Sequence, residues 1–328
     1  MTIALVNTWL VSGALDLPLP GGGDTPQRWN RLAALAETDV VCGRLAEAHV
    51  DAVAILAELD GPAPTPGQFW GVWAAEARDA VLSARDEGGR VLLDGTKVWC
   101  SGAGLCSHAL VTARLPSGDR GLFAVDLDGH GVRPLPSSWR NAGMAESDTR
   151  SVQFTATPAV AVGPLGEYLT RPGFWHGAAG VAACWLGGAR AVAAPLYARA
   201  SEGKANAHLL AHLGAVDAAL AAADATLMSV AHEVDADPLN RKGRAELVAR
   251  RARAVVETAV DESINRTGRA LGPGPLALDG SHAQRVADLS IYVRQSHAER
   301  DLERLGQLAG ASGTSGTSGT SGTSGKLP

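Results

Sequence analysis

Leu93-Asp94-Gly95-Thr96-Lys97-Val98-Trp99-Cys100-Ser101-Gly102-Ala103 is the stretch on which the reading of this chain turns. Asp94-Gly95 lies between short apolar runs and predicts a tight hairpin turn, because both residues tolerate the left-handed backbone that such turns need. Val91-Leu92-Leu93, Ala109-Leu110-Val111-Thr112-Ala113, Leu122-Phe123-Ala124-Val125 and Val152-Gln153-Phe154 are strand-like runs separated by Gly, Pro and Asp. They predict a small antiparallel β-barrel or sandwich over residues 67–165.

Outward from that block the periodicity changes. From Thr25 to Leu59, Leu32, Leu35, Val40, Val41, Leu45, Val53 and Leu56 recur at helical steps, until Gly61-Pro62 and Pro64 break the pattern. Residues 1–66 therefore form an N-terminal helical region. Beyond the β block, helices are predicted over Phe174–Ser201, Ala207–Val234, Arg241–Leu271 and His282–Leu305, with Gly272-Pro273-Gly274-Pro275 as a rigid loop. Long helices joined by short loops predict a C-terminal four-helix bundle over residues 166–310. The fold class is α+β, with the cleft between β domain and helices as the natural ligand site. The tail from Ala311 to Pro328 repeats Ser-Gly-Thr and reads as a flexible linker left by cloning.

Composition narrows the function. The 328 residues are 46% hydrophobic and carry a net charge of −5, without a Lys/Arg run to grip nucleic acid. No stretch of apolar residues is long enough to predict a transmembrane helix. Cys42, Cys100, Cys106 and Cys184 fit neither a disulfide framework nor a zinc site, so no metal is expected, and free thiols in a reducing cytoplasm are. The eight Trp read first as core packing. Arg44-x-x-Glu47-x-His49-x-Asp51 is open to a metal or acid–base cluster but reads first as an ion pair at helical spacing beside a capped or core histidine, and Arg250, Arg251 and Arg253 read as a solvated helix face.

The opening stretch, together with Gly143-Met144-Ala145-Glu146-Ser147-Asp148-Thr149 followed by Val152 and Phe154, resembles the acyl-CoA dehydrogenase superfamily. The small residues Gly180, Ala183, Gly187 and Ala189 are similar to the close-packed first helix of that family's C-terminal bundle. The likeness covers Arg44 to Leu305. It implies an FAD-dependent oxidoreductase acting on an acyl thioester or related small organic substrate, with hydride transfer to flavin N5. By position it puts Trp99, Cys100 and Ser101 against the flavin, Ala74 where the family has a flavin-contacting hydroxyl, and Arg269 and Gly272 on the adenosine side. It also implies a homo-oligomer, dimer or tetramer.

The departures are as informative. The family's catalytic glutamate aligns with Ser296, whose hydroxyl is no base at neutral pH without a partner. The alternative position on the first bundle helix falls on Gly177, beside His176. His297 then becomes the candidate proton donor near a reduced flavin, since imidazole titrates near neutrality. Two readings stay open beside the dehydrogenase: a flavin-dependent monooxygenase of the same fold, and a non-catalytic binding or partner subunit.

Overall fold

The computed structural model describes residues 2–77 and 80–314, with side chains to residue 311. Three helices open the chain: α1 (Thr2–Val11), α2 (Thr25–Thr38) and α3 (Val40–Glu58). Asp39 ends α2 and caps α3, its carboxylate accepting from the Cys42 N–H at 2.7 Å, so one residue makes the corner. The corner is tight because Gly43 faces the backbone of Ala36: a Cβ on Gly43 would stand 2.5 Å from the Ala36 Cα.

Seven strands follow: β1 (Trp70–Trp73), β2 (Leu82–Glu87), β3 (Arg90–Cys100), β4 (His108–Arg114), β5 (Arg120–Asp126), β6 (Val132–Pro134) and β7 (Arg150–Ala161). The ladder β4-β2-β3-β7-β5 returns to β4 and closes a small barrel, with β1 added on β4 and β6 on β7. The barrel is not wholly antiparallel, since β4 pairs in parallel with both β1 and β2. One face of β4 and β5 fills the barrel with Ala109, Val111, Phe123 and Val125. The other face, with Leu110, Leu122 and Ala124, packs on Ile55 and Leu56 of α3. Helix α3 is thus clamped to the sheet.

The hairpin turn lies elsewhere than expected. Gly88-Gly89, with φ of +65° and +84°, joins β2 to β3. Asp94-Gly95 sits inside β3 at a register shift against β7. There the Asp94 carboxylate accepts from the N–H of Ala156, itself at φ +46°. A Cβ on Gly95 would meet the Val81 carbonyl oxygen at 2.2 Å, so the glycine serves a β-bulge rather than a turn.

After the short α4 (Glu167–Thr170), helices α5 (Gly173–Ser201), α6 (Ala207–Ala236) and α7 (Ala245–Leu271) lie together, followed by α8 (Pro273–Leu278), α9 (Gly280–Tyr292) and α10 (Glu299–Thr314). The predicted last helix is divided: α9 ends at Tyr292 and α10 starts at Glu299, with a 3-10 turn between them. Helix α2 packs on α5, and one core holds Trp29, Leu32, Trp185, Leu220, Val256 and Tyr292 from both ends of the chain. Gly187 permits that crossing, since a Cβ there would lie 2.0 Å from the Ala33 carbonyl oxygen. Arg250 and Arg253 are not a solvated face: they stack over Trp175 and Trp185, 4.9 and 4.5 Å from the ring centroids. Helices α5 and α6 are long and apolar enough, by composition, to cross a bilayer; α5 is largely buried in the core, whereas α6 leaves Ala211, Gly214, Ala218 and Ala225 exposed. The tail beyond Thr314 lies outside the described residues.

Candidate functional site

Two sequence motifs meet to build one wall of a cleft. Gly102 N–H donates to the Ser147 carbonyl at 2.8 Å, and Gly104 N–H to the Asp148 carboxylate at 2.8 Å. These bonds seat the 143–149 turn on the end of β3. Gly143 is required by α9, because a Cβ there would meet the Ala287 carbonyl oxygen at 2.2 Å. Asp288 of α9 then accepts from the Met144 N–H at 2.6 Å. The lysine of the opening stretch is structural: Lys97 is 4% exposed, and its ammonium donates to the carbonyl and hydroxyl of Thr112 on β4, each at 2.8 Å.

At the end of β3 a second register shift, between Lys97 and Cys100, adds one residue to the strand. Trp99 sits in the bulge at φ +59°, a backbone state costing about 1–3 kcal/mol that persists only where surroundings impose it. The bulge turns the indole out of the barrel, 61% exposed, edge-on to Trp139 at 6.3 Å between centroids. Trp139 is held by its own Nε1–H, which donates to the Gly143 carbonyl at 3.0 Å. Beside the indole runs a row of hydroxyls. Ser147 and Thr149 are 2.7 Å apart, and Thr149 donates to Ser101 Oγ at 3.0 Å. Ser101 therefore accepts inside the row and keeps its own O–H for a ligand.

This wall faces a cleft of about 990 Å³. Val72, Ala74 and Ala75 close one side, and Phe174 and Val181 of α5 another. Ile291, Tyr292, Arg294, Gln295 and His297 line the end of α9 and the turn after it. Arg44, Glu47, Ala48 and Asp51 of α3 form the remaining face. At steps of three and four they share one side of the helix.

The carboxylates on that face are displaced from ordinary behaviour. Burial pushes Glu47 up to about 7, against the opposing pull of Arg44, whose guanidinium donates to it at 2.9 Å. Burial also raises Asp51, against Arg171, Arg28 and Arg44. Asp51 reaches α5 exactly where that helix has no side chain: a Cβ on Gly177 would lie 2.6 Å from Asp51 Oδ1.

The expected site residues divide accordingly. Trp99, Ser101, Ala74 and His297 line the cleft together. Cys100 does not; its buried thiol points into the barrel core and donates to the Lys97 carbonyl at 3.3 Å, with its pKa raised by burial. Ser296 is turned away as well. Its hydroxyl donates to Glu257 at 2.6 Å and accepts from the Ala298 N–H at the start of α10. Arg269 is exposed at the far end of α7 and Gly272 closes that helix at φ +69°, neither lining the cleft. His297 is at the mouth, exposed, 3.8 Å from Asp301. His49 is a core residue: its Nδ1 accepts from the Trp70 N–H at 3.2 Å, and burial lowers it to about 4. Among the described residues no cluster of metal-ligating side chains occurs. Glu47, Asp51, Thr149 and Tyr292 are the site residues that the sequence reading missed; helical spacing placed Glu47 and Asp51 on one face but not which way that face points.

The cleft's flat indole wall, hydroxyl edge and volume fit a planar, polar-edged cofactor such as a flavin. No family model matches the sequence, and no curated protein matches it. Solved structures do. Dibenzothiophene monooxygenase TdsC from Paenibacillus sp. A11-2 superposes with a TM-score of 0.80 at 20% identity, over 92% of this chain and 89% of that one. A nitrososynthase from Micromonospora carbonacea var. africana gives 0.77 at 18% identity, over 92% and 88%. Methanesulfinate monooxygenase MsuC from Pseudomonas fluorescens gives 0.71 at 17% identity, over 92% and 88%. The chain shares the fold of these structures. At these identities the likeness speaks for the architecture, and the chemistry rests on the cleft itself.

Proposed function

We propose that this chain is a flavin-dependent oxidoreductase acting on a small organic substrate, and that its chemistry is oxygen insertion rather than acyl-thioester dehydrogenation. The observation that carries the reading is the wall formed by Trp99, Ser101 and Thr149, which presents an exposed indole beside a free hydroxyl to a cleft large enough for cofactor and substrate together. A bound flavin would supply the redox chemistry; Ser101 would donate to its polar edge and Trp99 would cover its face. Ser296, at the position of the family's glutamate, is committed to Glu257, which speaks against acyl-thioester dehydrogenation through that position. TdsC has been solved with FMN, and two of the similar structures are monooxygenases, which supports the same direction. FMN also suits this chain better than FAD, since Arg269 and Gly272 stand away from the cleft. His297, exposed where it lines the cleft, would pass a proton between solvent and the cleft.

The Ala/Gly face of α6 suits close packing against a second copy, so a dimer or tetramer is expected. Four buried free thiols suit a reducing cytoplasm. The reaction is tested by supplying flavin and an external reductant. Oxygen consumption that rises on addition of organic substrate supports the reading. Anaerobic bleaching of the flavin by an acyl thioester would replace it with the dehydrogenase, and a protein that takes up no flavin would leave the non-catalytic alternative.

A further inference from the structure

The α3 face of the cleft carries a carboxylate with nothing to accept from. Among the described residues Asp51 makes no side-chain hydrogen bond, although it lines the cleft. The cations around it are anchored on other groups, although the Nε–H of Arg44 and of Arg171 has no partner. Arg28 donates to the carbonyls of Pro18 and Val50, Arg44 to Glu47, and Arg171 to Glu58. Glu47, Asp51 and Glu58 are set among Arg28, Arg44 and Arg171, and none of the three guanidiniums forms an ion pair with Asp51. None of these donors bonds to Asp51, whose carboxylate is half-buried and opens on the cleft, so a ligand bearing a donor can supply the hydrogen bond that the protein does not.

A second group is in a similar condition. Tyr292 is 2% exposed and lines the cleft, and its hydroxyl has only the buried Cys184 thiol as a weak partner and makes no other hydrogen bond. Apolar and aromatic side chains line the same cleft, among them Val72, Tyr168, Phe174 and Val181. Gly177 keeps α5 clear of the Asp51 carboxylate, which any larger residue there would crowd.

We propose that this end of the cleft is a subsite for a neutral, apolar or aromatic substrate bearing an O–H or N–H, and that Asp51 accepts the hydrogen bond from it. Asp51 is then the residue that selects such substrates over those lacking a donor. The subsite rests on the oxidoreductase reading only for the claim that the molecule bound there is the substrate; the binding itself requires no turnover.

The test uses 2-naphthol and its methyl ether, 2-methoxynaphthalene, as probes on the purified chain with and without added FMN. At about pH 8 the naphthol stays protonated, as a phenol with a pKa near 10 does. The wild type is expected to bind 2-naphthol at least ~10-fold more tightly than the ether, the scale of one hydrogen bond to a charged acceptor. Asp51→Ala should abolish that preference while the circular dichroism spectrum is unchanged. If Asp51→Ala does not fold, Asp51→Asn decides: it keeps a carbonyl but no charge, and the preference should shrink. Equal affinity for the two probes in the wild type, no binding of either, or a preference that survives both substitutions overturns the proposal. A colourless protein that still prefers 2-naphthol would refute the flavin reading and leave the subsite standing.

Discussion

Replacing Glu47 by Gln should change how stability depends on pH, in a direction that the burial of this side chain dictates. Glu47 is 5% exposed, and burial outweighs Arg44 in setting its pKa near 7 against the usual 4.5. A carboxyl whose pKa is raised on folding binds its proton more tightly in the folded chain. Below about pH 4.5 both states are protonated and nothing is lost. As pH rises through 7 the folded state must ionise a group that it prefers neutral, and stability falls. At 1.36 kcal/mol per tenfold, the gap between 4.5 and 7 amounts to ~3 kcal/mol by alkaline pH, as an order of magnitude. Glutamine resembles the protonated acid and has no such dependence. Urea unfolding of wild type and Glu47→Gln at several pH values reads the difference. Near pH 5 the two should lie close together, or the variant slightly lower for want of the Arg44 pair. Toward pH 9 the variant should gain about 2–3 kcal/mol on the wild type. Parallel stability curves, or a variant that loses ground as pH rises, would mean that Arg44 holds Glu47 ionised and that burial is not the dominant influence.

Other consequences are direct. Thr149→Val removes the donor to Ser101 and should weaken flavin binding by about 5–10-fold with the fold unchanged, measured by fluorescence titration. Trp99→Ala should lower flavin affinity while leaving the melting temperature within a few degrees, because the indole is mostly exposed and its loss opens no core cavity. Gly187→Ala drives a methyl into the Ala33 carbonyl and should destabilise the chain by at least about 1–3 kcal/mol in denaturant unfolding. Cys100→Ala should leave flavin affinity unchanged, since the thiol faces the barrel core and not the cleft.

The fold was legible where periodicity is strong. Helices α3, α5, α6 and α7 and strands β4 and β5 lie where apolar spacing puts them, because that spacing is the cost-free way to bury one face. Local chemistry misled at Asp94-Gly95. The pair does meet a positive φ, but a bulge and a hairpin ask for the same residues, and only the partner strand tells them apart. Trp99 and Ser101 were legible through motif likeness, while Cys100 between them was not, since the extra residue in β3 decides which side chains turn outward. Ser296 fell to a partner 39 residues away that no spacing announces. Asp51 was hidden for the same reason: an acid at helical spacing looks like surface until a glycine on another helix, Gly177, proves to face it.

The visible spectrum of the purified protein tests most directly whether a flavin binds against Trp99 and Ser101. The two-banded absorption of oxidised flavin, either on purification or after adding FMN, with Trp99 fluorescence quenched on binding, is the predicted result. A colourless protein that binds neither FMN nor FAD would contradict it.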